Sequence, residues 1–281
     1  SHGTALSGSH TRSVRSLILF QESEAKMTAF ASVLCLSAIA AAGDVEFGGV
    51  GQTVYSNIND VDSLDTRLIL GAYGESDGTV FGFSFETIDN LTDTALWDAY
   101  VGADLGGLNV KVGRFQRSFS AELELSEYGL NGLGLSGSSV FGLVEQRVDG
   151  VSVGGDLGDL SFSLDVVGDD VFDDPTLGGR VEFGSLGFGF LGEEMDTWTV
   201  DISSGNDFIA YTEDNEDWFV TAQAELFEVA SSTGYGRVEY DSNDEVTYAL
   251  GLASELDEGV QSILEYDDRD EAVRFGIRFS F

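Results

Sequence analysis

Strict two-residue alternation of apolar side chains is the feature that most restricts how this chain can fold. The last segment, Val273-Arg-Phe275-Gly-Ile277-Arg-Phe279-Ser-Phe281, has an apolar side chain at every second position. Successive side chains of a β-strand point to opposite faces, so one face of this segment is apolar and the other is polar or very small. A soluble sheet would have to bury the apolar face in a core, whereas a lipid-facing barrel strand turns it outward.

Segments of the same kind recur from residue 44 to the end and are separated by turn residues. They lie near 45–55, 64–74, 79–87, 95–105, 108–115, 148–157, 160–167, 177–183, 187–193, 197–203, 207–213, 217–227, 230–240, 245–256, 259–266 and 271–281. These are sixteen segments, and single-chain bacterial membrane barrels have an even number of strands. The sequence therefore predicts an all-β fold, a transmembrane up-and-down antiparallel β-barrel of about 16 strands.

The connections between the predicted strands alternate in length. Gly106-Gly107 and Gly158-Asp159 are typical of tight turns, while 56–63, 88–94 and 168–176 are longer and polar. The connection over 116–147 is the longest and has spaced acids followed by a glycine-rich, apolar stretch. Loops of that length in a compact domain are usually functional. We expect this third long loop to fold into the lumen and narrow it.

The three tryptophans are predicted to lie on one rim of the barrel. Trp97, Trp198 and Trp218 each begin an even-numbered segment, which places them at the end with the long loops. An aromatic girdle at the membrane interface belongs in such a position. The alternative is that they are ordinary buried aromatics of a soluble sandwich.

Charge restricts the partners of the chain. It has 50 acidic and 13 basic residues, for a formal net charge of -37, and nucleic-acid binding needs a basic surface. A barrel of sixteen strands is wide enough for an aqueous channel, which would solvate the acids that alternation points inward. These inward acids include Asp98, Asp104, Asp156, Asp165, Glu225 and Glu265.

The first 43 residues are predicted to stand apart from the barrel domain at 44–281. Residues 27–43 contain an apolar run that ends in Ala40-Ala41-Ala42, as a secretory signal does, although a short buried helix is the alternative. Residues 1–26 form an upstream extension of unclear status. Without residues 1–43 the chain has 10 basic and 48 acidic side chains and neither histidine nor cysteine.

Several stretches resemble trimeric general porins of Gram-negative bacteria, most closely the compact alphaproteobacterial type. The run Asp98-Ala-Tyr-Val-Gly-Ala-Asp-Leu-Gly-Gly-Leu-Asn-Val-Lys-Val-Gly-Arg114 is similar to the strand-turn-strand that precedes the constricting loop of that family. Asp65-Thr-Arg67 resembles its second strand and Gln146-Arg147 its sixth, and each carries a wall arginine. Val45-Glu-Phe-Gly-Gly and Phe281 resemble the start and the end of its barrel.

The resemblance implies a pore constriction with charges on opposite sides. Arg67, Arg114 and Arg147, with Arg117 and Lys111 nearby, would form the basic side. The loop acids Glu122, Glu124 and Glu127 would form the acidic side. Opposed charges across a narrow aqueous gap orient dipolar solutes and penalise apolar ones. The alternative is that the arginines are solvated or ion-paired wall residues that contribute little.

Arg114 is two and four residues from Val112 and Val110, so in a regular strand its side chain would lie on the same face as these two valines. A bend or bulge would have to redirect its side chain into the lumen. The first segment also lacks the basic residue that the family usually has there, which suggests a thinner basic side and a stronger cation preference.

The resemblance further implies passive diffusion of small hydrophilic solutes and cations, with no catalytic residue. The expected partners are outer-membrane lipid, two further copies in a homotrimer, and the outer-membrane assembly machinery, which would read Phe281. The expected location is the cell outer membrane, and no nucleic acid is expected as a partner.

Three other function classes are alternatives to a porin. A barrel hydrolase would need a histidine, which 44–281 lacks. A calcium-binding β-roll would need a nonapeptide repeat, which is absent. A structural or adhesive barrel with a plugged lumen is an alternative that the sequence does not exclude. No cofactor is expected, although Ca²⁺ could bind the acidic pairs Asp169-Asp170, Asp173-Asp174 and Asp267-Asp268; solvated loops are the alternative.

Overall fold

The computed structural model describes residues 44–58, 61–76, 78–88, 93–125, 134, 139–144, 146–168, 175–192, 196–215 and 217–281. The predicted signal at 27–43 and the extension at 1–26 lie outside these residues. None of the described helices is long and apolar enough to cross a membrane.

Sixteen antiparallel strands form one closed barrel in which each strand pairs with its sequence neighbours. The strands are β1 Asp44–Ile58, β2 Val61–Ser76, β3 Thr79–Ile88, β4 Asp93–Asp104, β5 Leu108–Gln116, β6 Arg147–Leu157, β7 Leu160–Val167, β8 Thr176–Phe183, β9 Leu186–Leu191, β10 Thr197–Ser204, β11 Asp207–Asp214, β12 Asp217–Val229, β13 Ser232–Asp241, β14 Val246–Asp257, β15 Val260–Asp267 and β16 Ala272–Ser280. The predicted fold is confirmed, and the predicted strand bounds differ from these by at most three residues.

Pairing between β1 and β16 closes the barrel. Val50 lies opposite Ser280, and the register continues to the Ile58–Ala272 pair. Beyond it, the Phe281 amide donates to the Gly49 carbonyl at 3.2 Å, and the Gly49 amide donates to the Phe281 carbonyl at 3.0 Å. Gly51 has no side chain where the Phe279 ring lies, so the ring can cover the seam.

Most of the outer face carries apolar side chains, as the alternation predicts. In β16, Val273, Phe275, Ile277 and Phe279 are exposed, whereas Arg274 between them is buried. Exposed large apolar side chains recur in other strands, among them Leu164, Ile202 and Leu250. The inward face therefore has the polar and charged side chains.

Tight turns cluster at one end of the barrel. At the turn after β4, Gly106 and Gly107 have φ of 78° and 100°, which glycine adopts without strain. The Asp104 carboxylate accepts hydrogen bonds from both amides, at 2.8 and 2.9 Å. At the opposite end the β5–β6 connection is the longest. The prediction of a long loop at 56–63 is wrong, because strand pairing extends to Ile58 and resumes at Val61.

Aromatic side chains form a belt on the outer face at the end opposite the tight turns. Trp198 lies 5.1 Å from Tyr211, Tyr211 lies 6.2 Å from Trp218, and Trp218 lies 5.4 Å from Tyr240, measured between ring centroids. Trp198 and Trp218 thus occupy the predicted girdle. Trp97 does not, because a β-bulge in β4 opposite Ser84 and Phe85 changes the direction of its side chain.

Candidate pore constriction

The long β5–β6 loop lies inside the barrel. It contains two short helices, α1 (Ala121–Leu125) and α2 (Val140–Leu143). Phe119, Leu123, Val140 and Val144 of the loop form a buried cluster with Phe219 of β12. Ala121 also packs against Phe208 and Ala210 of β11. These apolar contacts explain why the loop sequence is less polar than that of an exposed linker.

Arg180 of β8 attaches the first part of the loop to the barrel wall. Its guanidinium forms two hydrogen bonds with the Asp201 carboxylate, at 2.6 and 2.8 Å, and donates to the Phe119 carbonyl at 3.2 Å. The Ala121 amide donates to Asp201 at 3.2 Å. Arg180 and Asp201 are almost completely buried, so this pair carries both loop and wall contacts in a low-dielectric place.

Two further contacts hold later parts of the loop. The Ser139 amide donates to the Glu239 carboxylate of β13 at 3.0 Å, and the Ser139 hydroxyl bonds the same group. Arg278 of β16 donates to the Gly134 carbonyl at 3.1 Å. The described parts of the loop therefore contact walls on different sides of the lumen.

The loop acids differ in their surroundings. Glu124 faces Arg180 at 3.4 Å and accepts a hydrogen bond from Ser118. Burial raises the pKa of Glu124 above its ordinary value, and the positive charge of Arg180 opposes that rise. Glu122 is buried on α1. Glu127 lies outside the described residues.

Arg67 and Arg147 meet on the opposite wall, around Trp97. Their guanidinium carbons lie 4.7 and 4.5 Å from the centroid of the Trp97 ring. Arg67 also forms an ion pair with Glu86, and Arg147 forms one with Asp98 at 2.9 Å between Nε and Oδ1. Cation–π contacts between the arginines and the indole ring hold two like charges close together.

Asp98 connects this cluster to its neighbours. Its carboxylate accepts hydrogen bonds from the hydroxyls of Tyr73, at 3.0 Å, and Ser84, at 2.9 Å. Because Asp98 is buried and bound on several sides, Arg147 is held in one position. The result is a basic wall whose charges are partly neutralised by adjacent carboxylates.

Arg114 does not join this cluster. Its Nη1 donates to Asp149 at 2.8 Å, and the two residues lie directly opposite each other on β5 and β6. They share the side of the sheet that carries the exposed Val112. The bulge that would have redirected Arg114 occurs at Trp97 instead, on the neighbouring strand.

Arg117 and Lys111 are on the inner side of the same wall. Arg117 is buried at the start of the loop, and its amide donates to the Gln146 carbonyl at 2.9 Å. The Lys111 Nζ lies 5.2 Å from the centroid of the Tyr100 ring. Both are electrostatic neighbours of the Asp165 carboxylate.

Sequence reasoning did not identify Trp97, Arg180 and Asp201 as residues of this site. The alternation of β8 places Arg180 on the inward face together with Glu182, and this pattern could have identified Arg180. Asp201 is distant in sequence from the loop that it holds, so only the fold reveals its role. Trp97 depends on a bulge, which single-strand alternation does not reveal.

The acidic pairs considered as Ca²⁺ ligands are only partly within the described residues. Asp169-Asp170 and Asp173-Asp174 lie outside the described residues. Asp267 pairs with Arg274 at 3.0 Å. Within the part of the chain that the structure describes, no group of three or more histidine, cysteine, aspartate or glutamate side chains is arranged to hold a metal ion.

Comparison with solved structures identifies the fold. An engineered protein described for its asymmetric conductivity has 16% sequence identity and a TM-score of 0.63. A variant of the porin of Rhodopseudomonas blastica has 14% identity and a TM-score of 0.61, and a triple mutant of that porin has 14% and 0.58. Each alignment covers 85% of this chain and 100% of the other.

The chain has a porin fold. This confirms the fold implied by the sequence resemblance. No family model and no curated protein sequence matches the chain. In this porin-like barrel, a loop with acids and a wall with arginines lie inside one ring of strands, and such an arrangement can set up a transverse electric field for solutes.

Proposed function

We propose that the protein is an outer-membrane porin that forms a water-filled channel for passive diffusion of small hydrophilic solutes and ions. The observation that carries the proposal is the closed sixteen-strand barrel with an apolar outer face and a charged interior, narrowed by an internal loop. No chemical step is needed, so no residue is catalytic. Glu124 of the loop and Arg67 of the wall, whose side chains are partly exposed, would face the diffusing solute.

The outer face supports lipid as the surrounding partner. The belt of Trp198, Tyr211, Trp218 and Tyr240 has the composition of a membrane-interface girdle. A barrel of this kind suits the outer membrane of a Gram-negative cell, where Phe281 would be read by the assembly machinery.

A homotrimer is part of the proposal. Arg114 and Asp149 form an ion pair on the outward side of β5 and β6. Charged side chains facing lipid are destabilising, by about 2–4 kcal/mol for a basic residue at the bilayer centre. A neighbouring subunit over this wall would cover the pair.

Cation preference follows from how the internal charges are paired. Arg67, Arg147 and Arg180 each have at least one carboxylate partner, so little uncompensated positive charge remains on them. Acidic side chains greatly outnumber basic ones over the whole chain. The excess negative charge would attract cations into the lumen.

A plugged barrel is the second candidate, because the loop is fastened at Arg180, at Glu239 and at Arg278. Single-channel recording in planar bilayers distinguishes the two candidates. We expect stepwise conductance and, in a KCl gradient, a reversal potential of the sign for cation selectivity. An absence of conductance would support the plugged barrel, and anion selectivity would contradict the proposed charge pattern.

Replacing the wall arginines tests which side chains line the channel. Arg67→Gln and Arg147→Gln together should increase cation selectivity and widen the passage, because Glu86 and Asp98 lose their counter-charges. Arg114→Gln is the matched control, since its side chain lies on the outward side. If Arg114→Gln changed selectivity and conductance as much as the double variant, the assignment of Arg67 and Arg147 to the channel wall would be contradicted.

A further inference from the structure

An apolar groove lies on the outer face over β10 to β14, near the tight-turn end of the barrel. Its volume is about 550 Å³. The floor is formed by outward residues with small side chains. Ala222 lies opposite Val238, and Ala224 lies opposite Gly236. Larger side chains at these positions would fill the groove, so it exists because the floor residues are small.

A β-bulge forms one wall of the groove. The register between β12 and β13 shifts between Glu225 and Phe227, so Leu226 is the extra residue of the bulge. Leu226 and Leu250 both cover Gly236, because a Cβ added there would come within 3.2 Å of the first side chain and 3.3 Å of the second. The two leucines are more than half exposed, so they project from the sheet as a ridge.

Branched side chains next to β12 set the width of the groove. Ile209 of β11 and Val238 of β13 lie on either side of Ala222, and both are well exposed. Two strand spacings separate their backbones by about 10 Å. The two side chains narrow this gap to the width of a hydrocarbon chain. A helix, with a diameter of about 10–12 Å, is too wide to enter it.

One end of the groove is polar and acidic. Ser204 and Asp207 lie directly opposite each other at the β10–β11 turn and line the same recess as the apolar walls. The Asp207 carboxylate accepts a hydrogen bond from the Glu225 amide at 2.7 Å, which holds it beside the groove. Asn206 donates to the exposed Glu225 carboxylate at 3.0 Å. Arg237 also borders the groove, but its side chain is buried on the inward face.

We propose that this groove binds one acyl chain of a phospholipid whose headgroup carries an ammonium group. The chain lies on the alanine floor, Asp207 binds the ammonium group, and the Ser204 hydroxyl donates to the phosphate. A headgroup with a phosphate and no ammonium group is repelled by Asp207 and Glu225. The inference rests on the proposed membrane location of the barrel.

The position of the groove favours lipid over a second copy of the chain. The neighbouring subunit is proposed to cover β5 and β6, and β12 and β13 lie on the far side of the ring from β5. The wall that carries the groove therefore faces the surrounding lipid. Tight turns of membrane barrels lie on the periplasmic side, so the lipid belongs to the periplasmic leaflet.

Native mass spectrometry of the full barrel in detergent, with added lipid, tests the proposal. Dioleoyl phosphatidylethanolamine and dioleoyl phosphatidylglycerol have the same chains, and only the first has an ammonium group. We expect one ethanolamine lipid to be retained per chain, at lower concentration than the glycerol lipid. Ala224→Leu should weaken its binding about tenfold, the equivalent of about two methylene groups left outside the groove.

Asp207→Asn separates the headgroup contact from the apolar one, because asparagine keeps the acceptor for the Glu225 amide. This variant should weaken binding of the ethanolamine lipid about two- to fivefold and leave the glycerol lipid unaffected. Val246→Phe is the control for added bulk. Val246 is exposed on β14, four residues and about 13 Å from Leu250, and its replacement should not change retention.

Several results would overturn the proposal. Equal retention of the two lipids would indicate general contact with hydrocarbon, and unchanged retention in Ala224→Leu would place the lipid elsewhere. Paired barrels that Ala224→Leu separates would identify a second copy as the occupant. Conductance of the same preparations in planar bilayers distinguishes the two proposals: a conducting barrel that retains no lipid contradicts the groove alone, whereas absence of conductance contradicts the channel.

Discussion

Arg180 shows how a single side chain can hold an internal loop in a wide barrel. Its guanidinium contacts Asp201, Glu182, Glu124 and the carbonyl of Phe119. A planar guanidinium can satisfy several acceptors at fixed angles, which lysine cannot do. The charge is buried, but it is paired and hydrogen-bonded, which limits the cost of removing it from water.

Replacing Arg180 should therefore be costly. We expect Arg180→Gln to lower the free energy of unfolding by about 3–5 kcal/mol, because Asp201 becomes an uncompensated buried charge. Thermal unfolding in detergent measures this loss. Single-channel current should also become noisier, since the first part of the loop loses its attachment.

Arg269→Gln is the control for that experiment. Arg269 pairs with the buried Glu239, but the Arg269 side chain is one-third exposed and Glu239 also accepts hydrogen bonds from Ser139 and Thr221. Loss of Arg269 should therefore cost less than the loss of Arg180. Similar losses in the two variants would mean that burial of Arg180 does not determine its contribution.

At the scale of strands, the seam between β1 and β16 depends on the absence of side chains. A Cβ added at Gly51 would overlap the Phe279 ring, and one added at Gly49 would come within 3.0 Å of the Phe281 ring. The two rings are stacked on each other, with centroids 6.3 Å apart. The first and last strands thus fit together through glycines on one side and phenylalanines on the other.

Gly51→Leu should weaken the seam. The added side chain must displace Phe279 or separate the strands, and overpacking of this kind costs about 1–3 kcal/mol. Urea unfolding of the refolded barrel measures the change. Thr53→Val, two residues along on the same strand, should have little effect; a comparable loss there would show that the Phe279 contact is not the cause.

Strand positions were predictable from sequence because apolar and polar side chains alternate along most of the strands. The bulge at Trp97 could not be predicted from sequence, because it depends on how β3 and β4 pair. A bulge was expected at Arg114, one strand away, and its absence leaves Arg114 beside Asp149. The loop attachments were also unpredictable, since they join residues far apart in sequence, such as Ser139 and Glu239. Arg67 and Arg147 could be selected from the resemblance, but Trp97 between them could not.

At the scale of the whole molecule, excess negative charge is the dominant electrostatic property. The formal net charge of -37 is spread over the chain, while most lumen arginines have local acidic partners. In the proposed channel, long-range attraction of cations would therefore come from the sum of many acids rather than from one group.

Cation selectivity should consequently fall as salt rises. The Debye length shortens from about 30 Å at 0.01 M to about 3 Å at 1 M salt, so distant acids cease to act on an entering ion. Reversal potentials at a constant KCl ratio and increasing total concentration measure this trend. Selectivity that did not change with concentration would indicate close contacts at the constriction as its source.

Closure of the ring by the seam also has a consequence for how the molecule forms. The residues paired there are more than 200 positions apart in sequence, so their contact has the largest sequence separation in the sheet. Until both strands are in place, β1 and β16 are open edges whose backbone groups can pair with other chains. Folding dominated by such distant contacts is slow. A partly assembled ring is thus the aggregation-prone species, and completion of the circle removes both edges in one step.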